Sequence, residues 1–315
     1  MHAEGIAINY LCSMLERMKT IDPTAISVAE LHGYLLSTVA PRPIAFASTI
    51  DEQGRPNLAP FSYFNVFSAN PPVLIFSPAR RGRDATTKHT HENVLRVPEV
   101  VINMVDYALV QQCSLASTEY PEGVNEFEKT GLTALASDVV KPFRVAESPV
   151  QFECKVKEVV ALGTSGGAGN LIICEIVKIH IRESLIDAEG KVDPALIDLV
   201  GRCGGNYYVR AHSGALFEVA KPLARMGIGV DAIPSDIRYS KILTGNHLGQ
   251  LGNVESLPDE TTVNEHKLIE LADVFMAHED EPATLENALH RMAAELLDAG
   301  KVDEAWKTLL AFNNG

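Results

Sequence analysis

Four cations stand close together in a chain that is otherwise acidic: Arg80, Arg81, Arg83 and Lys88, in the segment PARRGRDATTKHTHENVLRV, with only Asp84 and Glu92 as acids among them. The segment runs from a loop into the start of a helix. Basic side chains, hydroxyls and unpaired helix N–H groups converge there, the combination that holds a phosphate. A basic turn open to solvent is the other reading of the same residues. Just upstream, Ser48, Thr49, Asn57, Ser62, Asn65, Ser68 and Ser77 are set among Phe46, Phe61, Tyr63, Phe64 and Phe67. Small polar groups mixed with aromatic ones suit a flat, partly polar ring held against a sheet.

The elements that must position these residues are strands. Ile44 to Ile50, Leu58 to Phe67 and Val73 to Phe76 are rich in β-branched and aromatic residues, and they read as three consecutive strands. Asp51, Gly54 and Pro56 punctuate the first join, and Asn70, Pro71 and Pro72 the second. Before them, Val28, Leu31, Leu35 and Leu36 have helical spacing, so a short amphipathic helix over residues 26–38 leads into Pro41. After them come a buried strand from Val100 to Val105 and a helix from Tyr107 to Ser117 opened by Asp106. Val150 to Leu162 and Leu171 to Ile181 are strands separated by GTSGGAGN, and PALIDLVGR is a short helix.

Several chemistries are set aside at this stage. Gly163-Thr164-Ser165-Gly166-Gly167 fits the spelling of a nucleophile elbow, but an elbow needs strand, sharp turn and helix, and this one leads into a β-branched strand. A flexible hairpin is the expectation there. No dinucleotide fingerprint or Walker sequence is intact. His89 and His91 cannot share a helix face, His180 reads as a satisfied structural histidine, and no metal site is expected. Cys12, Cys113, Cys154, Cys174 and Cys203 are odd in number with no C-x-x-C pair, which points to free thiols and a reducing, cytoplasmic setting. A net charge of −14 argues against nucleic acid. No run approaches the ~18 apolar residues of a membrane span, and the first residues lack the pattern of a secretory signal.

Taken together, Pro41-Arg42-Pro43-Ile44-Ala45-Phe46, Asn57-Leu58-Ala59-Pro60-Phe61-Ser62 with Phe64-Asn65, Asn70-Pro71-Pro72, and Lys88-His89-Thr90 with Asn93 resemble the flavin reductase-like family of FMN-binding split barrels. That family usually has an aspartate where His89 stands. The resemblance implies an α+β fold, mainly β with flanking helices, and a split β-barrel that binds FMN as a homodimer. It also implies that Ser48 and Thr49 contact the ring or ribityl chain, and that backbone around Ala59, Pro60, Phe61 and Ser62 meets the ring edge. Ser77, Arg81, Lys88 and Thr90 would hold the phosphate, with Arg80 as the alternate for Arg81. NADH or NADPH would be the electron donor and a partner oxygenase or other protein an acceptor. The Gly-Asp-His turn common in such reductases is missing, so an FMN-binding electron carrier without its own nicotinamide reaction is the alternative. Arg202, Gly204, Gly205 and Tyr208 resemble the family's closing Arg-x-Gly-Gly-x-x-Tyr element, for which core packing and flavin contact are both open.

At 315 residues the chain exceeds one ordinary domain. The expected division is an N-terminal extension over residues 1–19, the barrel over 20–225, and a linker with a helical extension over 226–315. The extension is acidic: residues 255–315 hold 14 acidic and 4 basic side chains. One helix is expected around Ile237, Ile242 and Leu243, another from Leu268 to Met276, and a hairpin of Pro282–Ala299 with Val302–Phe312. A single unit resembling a tetratricopeptide repeat does not make a solenoid.

Overall fold

Two strands joined by only Ser62 and Tyr63 lie at opposite edges of one sheet. In the computed structural model, which describes residues 18–222 and 226–312, the strands are β1 (Ala45–Ile50), β2 (Pro56–Phe61), β3 (Phe64–Ala69), β4 (Pro72–Phe76), β5 (Glu99–Asn103), β6 (Ala134–Leu135), β7 (Arg144–Val145), β8 (Val150–Ala161), β9 (Asn170–Ile181), β10 (Val200–Arg202) and β11 (Tyr208–Arg210). Seven of them form a sheet in the order β2-β1-β5-β8-β9-β4-β3, with every pairing antiparallel. A two-residue link cannot span a flat sheet of seven strands about 4.8 Å apart. The sheet therefore curls until its edges approach, and the barrel stays split where β2 and β3 do not pair.

The single strand expected over Leu58–Phe67 is thus two, β2 and β3. Pro60 and Ser62 are the local marks of the break. Tertiary bonds hold it: the Ser77 N–H donates to the Tyr63 carbonyl at 2.8 Å, and the Arg42 guanidinium approaches Ser62 Oγ at 3.4 Å. The strands expected around Val100–Val105, Val150–Leu162 and Leu171–Ile181 are present as β5, β8 and β9.

Every residue of β1 is buried, because the strand has a core on each face. Ala45 and Ala47 face the interior with Leu74, Phe76, Ile102, Cys154 and Ile172. Phe46 faces outward and packs with Leu58, Leu109, Cys113 and Phe127. That outer layer comes from α3 (Val110–Leu115) and α4 (Glu126–Thr130). Two further helices flank the strands, α1 (Val28–Thr38) and α2 (His89–Arg96). The helix expected from Tyr107 shortens to α3. Asp106 still accepts the Leu109 N–H at 2.9 Å, capping a turn before it. Helix α1 opens on the Ser27–Glu30 capping box, yet none of its residues is buried.

Arg42, itself buried, ties the chain's entry into the barrel to its exit. Its guanidinium donates to the Leu36 and Val39 carbonyls, both at 2.6 Å, and to that of Cys203 at 3.3 Å. Its backbone exchanges two hydrogen bonds with Arg202. Gly204 lies so close to Ser37 that a Cβ would collide with the serine hydroxyl. The Arg-x-Gly-Gly-x-x-Tyr element therefore packs against α1, and the Arg202 guanidinium lies 4.7 Å from the Tyr208 ring centroid. Helix α5 (Pro194–Ile197) precedes it.

Residue contacts divide the chain between Phe217 and Glu218. The second unit contains α6 (Ser235–Arg238), α7 (Gly245–Gly252), α8 (Glu260–Glu270), α9 (Ala272–Ala277), α10 (Pro282–Asp298) and α11 (Val302–Leu310). Its core gathers Ile237, Leu243, Leu251, Leu297 and Trp306. The fully buried indole donates to the Leu251 carbonyl at 3.1 Å. Pro282 starts α10, and Gly300 at φ +74° turns the chain into α11. The helix expected to hold Ile237, Ile242 and Leu243 ends at Arg238, where the Ser240 hydroxyl accepts the N–H groups of Ile242 and Leu243. The helix expected from Leu268 to Met276 is divided between α8 and α9. The expectation for residues 1–17 lies outside the described residues. Among those described, no helix is long and apolar enough to cross a membrane.

Cys113, Cys154 and Cys174 are buried and Cys203 is partly so, all as free thiols. Burial pushes the Cys113 and Cys154 thiols up to about 12. Asp138, Glu153 and His180 offer ligand atoms within 4.8 Å of one another, but protein donors already fill the site. The Glu153 carboxylate, fully buried, accepts from the N–H groups of Asp138, Val139 and Val140 at 2.8, 2.7 and 3.1 Å, and His180 Nε2 lies 2.6 Å away. Lys178 and Arg144 flank the Asp138 carboxylate. His180 is the structural histidine that its sequence position implied.

Two outcomes follow. Burial alone would raise the pKa of Glu153, but the Asp138 N–H, His180 and the next two N–H groups outweigh it and hold the carboxyl below 4.5. The group therefore stabilises the fold fully above its unfolded pKa, and the contribution fades as pH falls through the lower folded value. Glu153→Gln puts an amide donor against N–H donors, and a loss of about 3 kcal/mol is expected near neutral pH. In denaturant titrations of both proteins that gap should narrow only below about pH 4.5. The second outcome concerns the glycine turn between β8 and β9. It is held rather than loose: the Arg80 N–H donates to Ala168 at 2.8 Å and the Gly167 N–H to Arg80 at 3.0 Å. A Cβ on Gly166 would stand 2.8 Å from the Gly82 carbonyl oxygen, so Gly166→Ala should cost about 1 to 3 kcal/mol by overpacking, read as a lowered midpoint in thermal unfolding.

Candidate functional site

Strand β2 pairs only with β1, so its outer edge is free to meet other groups. At Leu58 that edge is taken by Glu126 of α4, whose Oε2 accepts the Leu58 N–H at 3.0 Å. Beyond it the edge walls a cleft of about 190 Å³, lined by Asn57, Ala59, Pro60 and Phe61 of β2. Arg81 and the segment from Lys88 to Thr90 line it as well, together with residues 116–120 and Glu126. Phe61 is fixed by Phe76, with ring centroids 5.5 Å apart. Burial of Glu126 pushes its carboxyl above the usual carboxylate range.

The cationic end of the cleft is built from a loop folded on itself. The Arg81 N–H donates to the Thr86 carbonyl at 2.9 Å, and the Ala85 N–H to the Arg81 carbonyl at 2.9 Å. Asp84 accepts from the Thr86 hydroxyl at 2.6 Å and from its N–H at 3.0 Å. These bonds bring the Asp84 carboxyl down to about 2. The Arg81 guanidinium donates to the Thr86 hydroxyl and to the Thr87 carbonyl. Lys88 sits at the N-cap of α2 without a side-chain cap bond, so no capping side chain occupies the first N–H groups of that helix.

A network beneath the cleft sets α2 on the sheet. Asn57 Nδ2 donates to Thr90 Oγ1 at 2.9 Å and approaches Thr49 Oγ1 at 3.4 Å, and Asn93 Nδ2 donates to Thr49 Oγ1 at 3.1 Å. All four side chains are buried. Thr90 thus accepts from Asn57 and keeps its own proton to donate.

Of the residues singled out in the sequence, Ala59, Pro60, Phe61, Arg81, Lys88 and Thr90 come together in this cleft. Ser48, Thr49, Ser62 and Ser77 are not part of its lining. Ser48 is fully buried and its hydroxyl has no partner among the described residues. Thr49 belongs to the network beneath. Ser62 approaches Arg42, and Ser77 packs under the glycine turn, where a Cβ on Gly169 would stand 2.6 Å from its hydroxyl. Arg80, the alternate for Arg81, donates instead to the Ala85 carbonyl at 3.0 Å and is likewise not in the lining.

The charge balance read from the sequence needs correction. Asp84 and Glu92 are not the only acids at the cations: Glu119, from the segment after α3, reaches three of them. Its Oε1 lies 3.2 Å from Arg81 Nε and 3.3 Å from Lys88 Nζ, and its Oε2 lies 2.6 Å from Arg83 Nη1. Hydrogen bonds from Arg83 and Lys88 bring its carboxyl down to about 2. Glu92 meanwhile accepts from the Thr87 hydroxyl. Glu119 and Glu126 are the residues that sequence reasoning missed, and no spacing from Lys88 or Leu58 marks them. In the fold, Thr118, Glu119 and Tyr120 line the cleft.

Comparison with known proteins agrees with this architecture. An uncharacterized protein of Aquifex aeolicus is 40% identical over 181 residues, 58% of this chain and 90% of its own. Nitrilotriacetate monooxygenase component B from Bacillus cereus superposes with a TM-score of 0.61 at 28% identity, covering 65% of this chain and all of that one. The 2-nitrobenzoate 2-nitroreductase of Pseudomonas fluorescens gives a TM-score of 0.58 at 26% identity, over 66% of this chain and all of that one. The model of the flavin reductase like domain matches residues 37–197, half of the chain and the whole of the sheet and cleft just described, so the protein belongs to the flavin reductase-like family of split barrels.

Proposed function

We propose that the chain binds FMN in the β2 cleft and acts as an oxidoreductase that takes electrons from NADH or NADPH and passes them to an acceptor. The observation that carries this reading is the juxtaposition, in a member of this family, of a free β2 edge with a cationic helix start. Arg81, Lys88 and the Thr90 hydroxyl form a donor set suited to a phosphate, because cations and N–H groups at a helix start favour a doubly charged anion. Backbone groups of Ala59 to Phe61, with no N–H at Pro60, would meet the polar edge of the ring. Phe61, held by Phe76, would pack against its apolar part. Ser48, Thr49 and Ser77 would shape the wall rather than touch the ligand.

Bound FMN would supply the redox chemistry, a flavin N5 that accepts hydride. The chain's part is to orient the ring, exclude water from one face and hold the phosphate. Two of the proteins compared above are a monooxygenase component and a nitroreductase, which supports an acceptor that is a partner oxygenase or a small oxidant. A homodimer in the cytoplasm is the form we propose for it.

The glycine turn at Gly163–Gly167, where the family often carries Gly-Asp-His, favours a second reading: an FMN-binding electron carrier reduced only by another protein. Anaerobic stopped-flow mixing of the FMN-loaded protein with NADH and NADPH separates the two. Bleaching of the flavin absorbance within seconds is expected for the reductase, whereas a flavin that stays oxidised until a partner reductase is added identifies the carrier.

The phosphate assignment has its own check. A hydrogen bond to a charged group is worth about 1.5 to 3 kcal/mol, and Lys88 is partly open to solvent, which places its effect at the lower end. Lys88→Ala should weaken FMN binding about tenfold and leave riboflavin binding unchanged, with the loss shrinking as salt rises. Fluorescence titration of both flavins at two salt concentrations measures this. Equal loss for both flavins would place the phosphate elsewhere.

A further inference from the structure

Glu119 stands where an anionic ligand of the cleft must arrive. Its two carboxylate oxygens gather Arg81 and Lys88 on one side and Arg83 on the other, as two oxygens of a phosphate would. The side chain lines the same cleft as Arg81 and Lys88, and it is 39% exposed, free to swing out. It comes from residues 118–125, which carry no helix or strand, so its withdrawal breaks no backbone ladder. With its carboxyl near 2, it is an anion at every physiological pH.

Three cations brought together repel one another, and Asp84, 3.1 Å from Arg83 Nε, offsets only one of them. The Glu119 carboxylate relieves more of that repulsion and, with Asp84, leaves one positive charge in excess. A phosphomonoester brings nearly two negative charges and three acceptor oxygens to the same place. It satisfies the cluster better than Glu119 does, but only after breaking three ion pairs.

We propose that Glu119 is a built-in competitor for the ligand phosphate. It holds the cations converged when the cleft is free of ligand, and it lowers the affinity of the bound state so that the flavin exchanges instead of remaining as a fixed prosthetic group. The inference rests on the reading that FMN binds here through its phosphate. It adds that the flavin leaves readily, as a chain handing reduced flavin to another protein requires.

The test is a titration of the full-length chain and of Glu119→Gln and Glu119→Ala with FMN and with riboflavin, followed by stopped-flow measurement of FMN release. Both variants should bind FMN about tenfold more tightly, mainly through slower release, with riboflavin affinity unchanged. Because the loop is also held by its own backbone bonds and by Asp84, melting temperatures close to that of the wild-type chain are expected and identify both variants as folded. If the wild-type chain binds FMN more tightly than riboflavin, yet the variants bind FMN equally or more weakly, Glu119 is no competitor and the inference is overturned alone. If the wild-type chain binds the two flavins alike, the phosphate reading fails, and this inference with it.

Discussion

Ser62 and Tyr63 must carry the chain from one edge of the sheet to the other, and the remaining architecture follows from that short link. Because β2 and β3 lie at opposite ends of the strand order, the sheet has to close on itself. Closure covers the inner face of β1 and the layer with α3 and α4 covers its outer face, which is why all six of its residues are buried. It also brings the loop after β4, with Arg81 and Lys88, to the free edge of β2. The polar edge and the cationic end of the cleft, separate in sequence, become two sides of one site through that curvature.

Holding the cations in place takes support from three directions. The loop folds on itself through Asp84 and Thr86, the glycine turn between β8 and β9 bonds to Arg80 from behind, and Glu119 gathers the side chains from the front. In a protein of net charge −14, such a cluster is a local inversion of the long-range field. The second unit has its own core around Trp306 and Leu251, and the family match ends before it.

Much of this was legible in the sequence, for identifiable reasons. The long strands β8 and β9 announce themselves by alternation and by the glycines between them. Ala59 to Phe61, and Arg81 with Lys88 and Thr90, are readable because each group is contiguous in the chain and close in the fold. The break between β2 and β3 was hidden because Pro60 and Ser62 stand singly in an aromatic run, and bonds from Ser77 and Arg42 hold the bend. Glu119 and Glu126 were hidden for a related reason: each meets its partners across 31 to 68 residues of chain. Charge complementarity over such distances has no local pattern. Ser48 and Thr49 looked like ring contacts because they are polar in an apolar strand, but Thr49 orders Asn57 and Asn93 beneath the cleft.

The central claim is that one anionic ligand group sits among Arg81, Lys88 and the start of α2 while its ring lies along β2. A crystal structure of the chain soaked with FMN tests this most directly. The account predicts phosphate oxygens within about 3 Å of Lys88 Nζ and the Arg81 guanidinium, and the ring against Ala59, Pro60 and Phe61. A flavin bound elsewhere on the sheet, with Glu119 still holding the three cations and no phosphate near Lys88, would contradict it.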